Sequence, residues 1–514
     1  MASILSLLKL STSGNQSIVR GSTLNQRSTL TQDAFVESCR ALAEELSRLP
    51  IKVLALHADN STHWLVIDIA CQQAGICLVP LPTFFSDEQL RHVFDSAPID
   101  GLLCENSELF EGILDRSCES LSTRHRRLET QHICLDGLTL LQLIPSVSSK
   151  VLPPHTDKIT FTSGSTGQPK GVCLSNAQLI KQASALAETL DLSKPRHLCL
   201  LPLSTLLENV AGNYTPLLAG GEVIIPSLGE IGFEGSSSIN PDKFIAVIDR
   251  AKPNSIILTP QLAVLLVSAA NQGWKPPSSL QFVAVGGGKV SSKLLREAQD
   301  LGIPAFEGYG LSECASVVSL NTARHHQNGS CGKPLAHLDI EIVDHEIVVS
   351  GNAMLGYLGE PDSWGQPSIA TGDLGYLDHS GYLHVSGRKK NLLISSFGRN
   401  INPEWLESEV LAQTAIAECV VFGDAKPYCV ALILPRKPDD SDEVIQSIID
   451  TINSRLPDYA RIVRWSRLPQ ALSTQKILTT DNGRPKRDAI FTHYHDVIMQ
   501  LYADQKEDAV HDVF

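Results

Sequence analysis

The chain has 514 residues, which is more than a single hydrophobic core usually organises, so two or more domains are expected. Hydrophobic residues make up 43% of the chain and charged residues 19%, a balance typical of a globular protein. The net charge of -14 argues against a nucleic-acid-binding surface, which would need a basic face.

Neither a targeting segment nor a transmembrane segment is expected. The first ten residues are mildly apolar, but they lack a basic region, and Ser6 and Lys9 interrupt them. The chain contains no uninterrupted apolar run long enough to cross a bilayer. The twelve cysteines form no C-x-x-C pair, and several, such as Cys77, Cys173 and Cys199, lie in apolar strand-like runs. A reduced, cytoplasmic setting is therefore predicted.

Strand and helix patterns alternate through the first half of the chain. The predicted elements are, in order, helix 30–50, strand 51–56, helix 65–74, strand 76–79, strand 198–201, helix 206–218, strand 223–225, strand 255–258, helix 261–270 and strand 282–285. Gly75 provides a C-cap for the second helix. This order indicates right-handed parallel βαβ units and a large layered α/β domain.

The pattern changes after about residue 335, where short strands replace the βαβ order. The predicted elements there are strands 340–343, 346–349 and 381–385, helix 403–411, strands 419–422 and 429–434, and helix 444–452. The last two strands can pair with each other. These elements predict a small α+β domain, and we place the boundary so that residues 1–387 form the large domain and residues 388–514 the small one.

A segment rich in Gly, Ser and Thr follows the apolar run 159–161 and precedes a helical pattern that Ser175 can cap. Because glycine permits positive φ and has no Cβ, such a loop can direct backbone N–H groups and hydroxyls at an anion. The spacing differs from that of a Walker loop, in which Gly precedes the Lys and Ser or Thr follows it. A polyphosphate is the simplest ligand, and a plain surface loop is the alternative. The candidate phosphate-binding residues are Thr162, Ser163, Gly164, Ser165, Thr166, Gly167 and Lys170.

Three further segments can contribute to a nucleotide site. In Gly-Tyr-Gly-Leu-Ser-Glu (308–313), Tyr309 can stack on a purine and Glu313 can hold a divalent cation that also touches phosphate oxygens. In Thr-Gly-Asp-Leu-Gly-Tyr (371–376), Asp373 on a tight turn can accept hydrogen bonds from both ribose hydroxyls. The three glycines 286–288 let the backbone pass close to a ligand. Ordinary turn chemistry is the alternative for each segment considered alone.

Taken together, these motifs resemble those of the adenylate-forming superfamily, which comprises acyl-CoA synthetases, peptide-synthetase adenylation domains and beetle luciferases. The resemblance extends from about residue 30 to residue 490, with five motifs in the family's order. It implies a large N-terminal domain, a small mobile C-terminal domain, and binding of ATP and Mg²⁺, with Glu313 holding the metal. Besides the phosphate loop, the implied nucleotide-binding residues are Gly287, Gly288, Tyr309, Gly310, Ser312, Asp373 and Arg388.

The resemblance also implies roles outside the nucleotide site. Lys390 would lie at the hinge of the small domain, and the loop around Gly398 would border the tunnel for the thiol substrate. Segment 201–209 resembles the stretch that long-chain acyl-CoA synthetases use beside the acyl site, with Thr205 at the gate where those enzymes often have His or an aromatic residue.

The family usually has a lysine directly after the glycine that corresponds to Gly483, and this lysine acts in adenylation. Here Arg484 occupies that position, and Lys486 follows two residues later. Arginine keeps the charge but differs in size and in its forked geometry. A small register shift would bring Lys486 into place, so both residues are candidates. Impaired adenylation is the third possibility.

The resemblance implies a reaction in two halves. The substrate carboxylate attacks the α-phosphate of ATP, while Thr166, Lys170 and Glu313 with Mg²⁺ neutralise charge, and acyl-AMP and pyrophosphate result. The small domain then turns so that the thiol of coenzyme A can attack the adenylate. A medium- or long-chain fatty acid is the expected substrate. The alternatives are an aryl acid, loading of an acyl carrier protein, a luciferase-like oxygenase, or a degenerate non-catalytic nucleotide-binding protein.

Overall fold

The structure is a computed structural model that describes residues 4–8, 16–21, 29–115, 129–131, 137–143, 151–162, 169–234, 238–475, 477–479 and 485–503. Several predicted site residues lie outside the described residues, namely Ser163, Gly164, Ser165, Thr166, Gly167 and Arg484. No helix in the described part of the chain is both long enough and apolar enough to span a bilayer.

Helices and strands up to Arg388 form the layered part of the molecule. The helices are α1 (Ile4–Leu8), α2 (Gln32–Ser47), α3 (Thr62–Ala74), α4 (Asp87–Ser96), α5 (Ser107–Asp115), α6 (Asn176–Leu190), α7 (Thr215–Leu218), α8 (Leu228–Ile231), α9 (Pro241–Ala251), α10 (Pro260–Asn271) and α11 (Ser292–Asp300). The strands are β1 (Ser17–Arg20), β2 (Thr29–Thr31), β3 (Val53–His57), β4 (Cys77–Pro80), β5 (Gly101–Cys104), β6 (Glu129–Gln131), β7 (Thr139–Gln142), β8 (Lys158–Thr162), β9 (Lys170–Leu174), β10 (Arg196–Leu198), β11 (Glu222–Ile224), β12 (Phe233–Glu234), β13 (Ser238–Ile239), β14 (Ser255–Leu258), β15 (Phe282–Val285), β16 (Ala305–Tyr309), β17 (Ser319–Leu320), β18 (Lys333–Pro334), β19 (Asp339–Val343), β20 (Glu346–Ser350), β21 (Gly356–Tyr357), β22 (Ser368–Leu377) and β23 (Leu383–Arg388).

Two large sheets carry most of these strands. One has nine strands in the order β18-β17-β16-β15-β14-β10-β11-β1-β2, and the other has eight in the order β21-β9-β8-β4-β3-β5-β7-β6. The predicted parallel pairs are present, since β3 pairs with β4 and β14 with β15 in parallel register. A large cluster of buried apolar residues draws on strands of both sheets and on helices α2, α3 and α6. The predicted α/β fold of layered βαβ units is therefore confirmed.

Local sequence signals account for the start and end of several helices. Ser175 and Gln178 form a reciprocal capping box at the start of α6, in which each side chain satisfies a backbone N–H of the other residue. Gly75 ends α3 in the left-handed conformation, with φ 69°, as the sequence predicted. Helix α10 begins with Pro260, directly after the N-cap Thr259. Proline fits the first turn of a helix because the backbone N–H that it lacks would have no partner within the helix there.

The predicted helix 206–218 has a different form in the structure. Residues Glu208–Tyr214 form a π-helix, which continues directly into α7. The Thr215 N–H and hydroxyl both bond to the Val210 carbonyl five residues earlier, and the Asn213 amide bonds to the Glu208 carbonyl. These side-chain bonds stabilise the wider turn, which a helical apolar spacing does not reveal.

The predicted phosphate loop also has a different setting. It was expected to join a strand to a helix, but it connects β8 to the antiparallel strand β9, with Thr162 opposite Lys170. Helix α6 follows only after β9. The loop is thus the connection of a hairpin. The sequence analysis missed β9 because its five residues follow the glycine-rich segment directly.

The remaining elements form the small C-terminal part. They are β24 (Leu393–Ile394), β25 (Asn400–Ile401), α12 (Pro403–Leu411), β26 (Ile416–Phe422), β27 (Cys429–Pro435), α13 (Asp442–Asn453), β28 (Ile462–Arg467), α14 (Arg487–His493) and α15 (His495–Ala503). Strands β26 and β27 pair in antiparallel register, as predicted, and β28 adds to β27 in parallel. Two apolar clusters have all their buried members within residues 393–498, so this part has its own core. The boundary at residues 387 and 388 stays a prediction.

Candidate active site

A cleft of about 2980 Å³ is lined by residues of both parts of the molecule. Most of the predicted site residues that the structure describes lie in its wall. They are Thr162, Lys170, Thr205, Gly287, Gly288, Tyr309, Gly310, Ser312, Glu313, Asp373, Arg388, Lys390 and Lys486. Five regions of the chain, around residues 162–170, 205, 287–313, 373–390 and 486, therefore converge on one cavity.

Asp373 is held by Tyr309 from β16 of the nine-stranded sheet and by Arg388 from β23, which pairs with β22. Its carboxylate accepts a hydrogen bond from the Tyr309 hydroxyl at 2.6 Å and pairs with the Arg388 Nε at 2.7 Å. Burial and the Asp373 charge raise the pKa of Tyr309, so its hydroxyl stays protonated and donates. The tight turn predicted for Asp373 is wrong, because this residue lies within β22. Gly372, directly before it, has φ 71°, and the pairing of β22 with β20 is irregular here.

Glu313 lies on a short 3-10 turn at the C-terminal end of the motif 308–313 that also contains Tyr309. The Tyr357 hydroxyl donates to one of its carboxylate oxygens at 2.8 Å. The Tyr357 ring also lies under the Lys170 ammonium, 4.9 Å from Nζ to the ring centroid. Lys170 itself forms an ion pair with Glu360 at 2.9 Å. A carboxylate that faces a cleft in this way fits a hard divalent cation, which prefers oxygen ligands.

Tyr357 was not foreseen from the sequence. It belongs to β21, which pairs with β9, and this pairing brings Tyr357 beside the predicted phosphate-binding lysine. The strand has two residues, so no periodic pattern marks it. Gly356, directly before Tyr357, is a glycine because any larger residue there would meet the Trp364 side chain. This glycine was the local feature of the sequence that could have drawn attention to the strand.

Glycine is required at two positions in the wall. A Cβ on Gly310 would lie 1.8 Å from the Ser316 carbonyl oxygen, so only glycine allows this close approach of two backbone segments. Gly287 has φ 81°, in the region that favours glycine. These two residues give the turns after β15 and β16 their shape.

Glu307 is a further site residue that the sequence analysis missed. It lies two residues before Tyr309 on β16, and the alternation of side chains along a strand places both on the same face. The residue is 4% exposed and lines the cleft. The Cys331 thiol donates to its carboxyl group at 3.6 Å, and burial raises the pKa of Glu307 to about 7. The strand period of two was the signal that could have identified it.

The small C-terminal part brings one of the two candidate adenylation residues to the cleft. Lys486 precedes α14 and lines the cleft together with Ile477 and Pro485. Its neighbour Arg487 also lines the cleft, where it is held in a forked ion pair with Glu407, at 2.7 and 3.1 Å. Arg484 cannot be placed, since it lies outside the described residues.

The predicted hinge residue and the predicted thiol-tunnel residue differ in their position relative to the cleft. Lys390 lines the cleft, and partial desolvation, followed by the Arg388 charge, lowers the pKa of Lys390. Gly398 lies at the tip of the exposed hairpin β24–β25, with φ 72°, and is not part of the cleft wall. The structure therefore brings Lys390 and Lys486 to the cleft but leaves Gly398 outside it.

One group of apolar side chains in the cleft wall, called here the apolar arm, comes from β12, β13, α9, α10 and the segment after α10. Its five apolar side chains are half-buried and pack against the second hydrophobic cluster of the large part. They are Phe233, Ile239, Ile245, Leu265 and Trp274.

Comparisons with known proteins agree with this arrangement. The AMP-binding enzyme family matches residues 12–358, and the AMP-binding enzyme C-terminal domain matches residues 390–506. The chain therefore belongs to the AMP-binding enzyme family. It is an enzyme of the AMP-forming acid–thiol ligase class, and the resemblance seen in the motifs is confirmed.

Individual relatives differ in the acid that their names specify. The long-chain-fatty-acid–CoA ligase FadD15 of Mycobacterium bovis is 26% identical over 72% of this chain and 70% of its own length. The 2-succinylbenzoate–CoA ligase of Bacillus subtilis is 25% identical over 83% of this chain and 82% of its own length. Among solved structures, the anthranilate CoA ligase AuaEII in complex with anthranoyl-AMP aligns with a TM-score of 0.77 at 17% identity, covering 96% of this chain and 97% of that one.

Proposed function

We propose that this enzyme activates a medium- or long-chain fatty acid as acyl-AMP, with release of pyrophosphate, and then transfers the acyl group to coenzyme A. The observation that carries the choice of acid is the apolar arm, which offers five half-buried apolar side chains to the cleft. A small aryl acid would leave most of this arm unfilled. The cytoplasmic setting is part of the same proposal.

The cleft supports binding of ATP through the large part of the molecule. Asp373 accepts the ribose hydroxyls, and the Tyr309 ring provides a face for the purine. Because Tyr309 and Arg388 already hold the Asp373 carboxylate, it is oriented before the nucleotide arrives. Gly287 and Gly288 let the backbone approach the purine from the other side.

Charge neutralisation falls to the residues at the phosphate end. Lys170 exchanges its exposed Glu360 partner for phosphate oxygens, and Thr166 and Ser312 contribute hydroxyls. Glu313 would hold Mg²⁺, which when bound neutralises charge on the phosphates. Tyr357 keeps the Glu313 carboxylate in place through its hydroxyl.

The small C-terminal part supplies the adenylation cation and then the thiol passage. Lys486 lines the cleft in this structure, so we assign it to adenylation ahead of Arg484. Rotation about Lys390 then removes Lys486 and brings the Gly398 hairpin to the cleft for the second half-reaction. The change of hinge residue Lys390 to Ala is expected to harm thioester formation more than adenylation.

Pyrophosphate release tests this proposal. The purified enzyme is assayed with ATP, Mg²⁺ and a panel of straight-chain and aryl acids, each with and without coenzyme A. Release with straight-chain acids that coenzyme A stimulates, together with an acyl-CoA product, is expected. Release with aryl acids only would refute the fatty-acid assignment, and release insensitive to coenzyme A would point to an acyl carrier protein as acceptor.

A further inference from the structure

A cluster of buried polar side chains lies outside the cleft wall and has no part in the proposed reaction. His197 of β10, Cys199 shortly after it and Glu208 of the π-helix are at most 2% exposed. Each offers one nitrogen, sulfur or oxygen atom, and these three atoms lie within 4.8 Å of one another. Leu206 and Leu207, directly before Glu208, line the cleft. The cluster therefore adjoins the segment of wall that these two leucines form.

The Glu208 carboxylate is only partly satisfied within this cluster. Its Oε1 lies 3.0 Å from the His197 Nε2. Its Oε2 is also buried, and no group in the described part of the chain forms a hydrogen bond with it. A buried carboxylate oxygen without a partner costs free energy. This oxygen therefore points to a positive group that the described residues do not supply.

The wide turn of the π-helix places a further oxygen on the same side. Residues four and five positions apart lie one turn from each other in such a helix, so Gly212 and Asn213 both lie against Glu208. The Asn213 amide N–H donates to the Glu208 carbonyl at 2.9 Å, whereas its Oδ1 accepts from the Cys199 thiol at 3.6 Å. A Cβ at Gly212 would collide with the Glu208 Oε1 and lie 2.8 Å from the His197 Nε2. Only glycine at this position leaves both atoms unobstructed.

Ser255 of β14 orients the His197 ring. The ring Nδ1 lies 2.9 Å from the Ser255 hydroxyl. A histidine that binds a metal through one ring nitrogen usually gives its other N–H to a partner of this kind. With Nδ1–H donating to Ser255, the lone pair of Nε2 is directed towards Glu208, where a cation could lie between them.

The combination of one nitrogen, one sulfur and one carboxylate oxygen selects the kind of cation. Mg²⁺ and Ca²⁺ prefer oxygen ligands, whereas imidazole and thiolate together favour Zn²⁺. In tetrahedral zinc sites the Zn–N distance is about 2.0–2.1 Å and the Zn–S distance about 2.3 Å, so the ligand atoms lie about 3–4 Å apart. The atoms of this cluster need to move only about 1 Å to reach that spacing.

We propose that His197, Cys199 and Glu208 bind a structural zinc ion, with the Asn213 amide oxygen as the fourth ligand. Binding forms a Zn–S bond and displaces the Cys199 thiol proton to solvent. The ion joins β10 to the π-helix and thereby supports the adjoining cleft wall. Because all four ligands are buried, the chain acquires the ion as it folds. Ser255 is a positioning residue that acts through His197.

The first test is the metal content of the full-length wild-type enzyme, produced in zinc-supplemented cells without a histidine tag and dialysed against EDTA. About one zinc ion per chain is expected to remain. X-ray absorption at the zinc edge should show one sulfur neighbour at about 2.3 Å and nitrogen or oxygen neighbours at about 2.0–2.1 Å. A folded chain without zinc would overturn the proposal and leave the His197 Nε2–H as a simple donor to Glu208. Zinc without a sulfur neighbour would overturn it as well.

Variants then assign the zinc to these residues. Cys199→Ser should lose the zinc, whereas the matched control Cys104→Ser should keep it, because Cys104 is equally buried at the end of β5 and donates only to the Thr139 carbonyl. Ser255→Ala keeps all four ligands and should weaken zinc affinity about 10–100-fold in competition with a chelator, so it tests the site even if Cys199→Ser does not fold. Unchanged zinc affinity in Ser255→Ala and equal zinc content in folded Cys199→Ser and wild type would each place the ion elsewhere and overturn the assignment.

Discussion

Two aspartates of this enzyme have nearly the same partners in very different surroundings. Asp68 of α3 accepts from the Tyr214 hydroxyl at 2.5 Å and pairs with Lys158 at 2.8 Å. Asp373 accepts from Tyr309 at 2.6 Å and pairs with Arg388 at 2.7 Å. Asp68 and Lys158 are at most 1% exposed, whereas Asp373 is 5% exposed and its partner Arg388 is 42% exposed at the edge of the cleft.

The two aspartates differ in whether a ligand can take the place of one of their partners. In the buried network, Lys158 also donates to Asn209 at 2.6 Å and to Tyr214 at 2.9 Å, so the ammonium is surrounded by buried polar groups of the protein. Asn209 and Tyr214 belong to the π-helix, and Lys158 begins the strand that leads into the phosphate loop. This network therefore fixes the scaffold, while the same chemistry around Asp373 stays open to a ligand.

The largest expected effect comes from breaking the buried pair. Asp68→Ala leaves the Lys158 charge buried without a counter-charge and should lower the free energy of unfolding by about 3–5 kcal/mol. The double variant Asp68→Leu with Lys158→Met removes both charges and should recover most of this loss. Urea unfolding measures both. If the single and double variants lost the same stability, the ion pair would not be the cause.

The corresponding change at the cleft should affect activity instead. Asp373→Ala removes the proposed ribose acceptor and should lower kcat/KM for ATP about 100-fold, the equivalent of about 3 kcal/mol for charge-assisted hydrogen bonds. Its free energy of unfolding should change by less than about 1 kcal/mol, because water can solvate the exposed Arg388. Pyrophosphate release and urea unfolding test the two halves. A stability loss as large as that of Asp68→Ala would erase the distinction.

Glu307 sharpens the comparison, because it is buried like Asp68 but its hydrogen bond comes from the Cys331 thiol, and the Lys289 charge does not offset the effect of burial on its pKa. Its folded-state pKa of about 7 lies above the ordinary value of 4.5, so its protonated form is favoured by folding. Its contribution to stability is full below pH 4.5 and is lost as pH rises to about 7. Relative to Glu307→Gln, the wild type should therefore lose up to about 3 kcal/mol of stability between low pH and pH values above about 7.

Thermal and urea unfolding at acidic and mildly alkaline pH measure this effect. Glu88→Gln, on the exposed face of α4, serves as the control and should show no such pH dependence. A stability difference between wild type and Glu307→Gln that is constant with pH would contradict the assignment.

The contrast also explains which features the sequence could reveal. Tyr309, Asp373 and Arg388 each lie in a short motif, so they were predicted individually, and the motif resemblance implied that they meet. Asp68 and Lys158 lie 90 positions apart in the sequence, and neither lies in a motif, so local patterns contain no sign of their pairing. Periodicity identifies the helices and strands, because it depends on neighbours along the chain.

The smallest expected effects come from removing a single hydroxyl on each side of the comparison. Tyr214→Phe takes one donor from Asp68 and one acceptor from Lys158 in a dry core, and should lower the free energy of unfolding by about 1–3 kcal/mol. Tyr309→Phe removes the equivalent donor at Asp373, where water from the cleft can replace it, and should cost less than about 1 kcal/mol. It should instead raise the KM for ATP severalfold, since the Asp373 carboxylate loses one of the donors that fix it. Unfolding and the ATP dependence of activity are measured for both variants. Equal stability losses in the two variants would mean that the cleft aspartate is as inaccessible to solvent as the buried one.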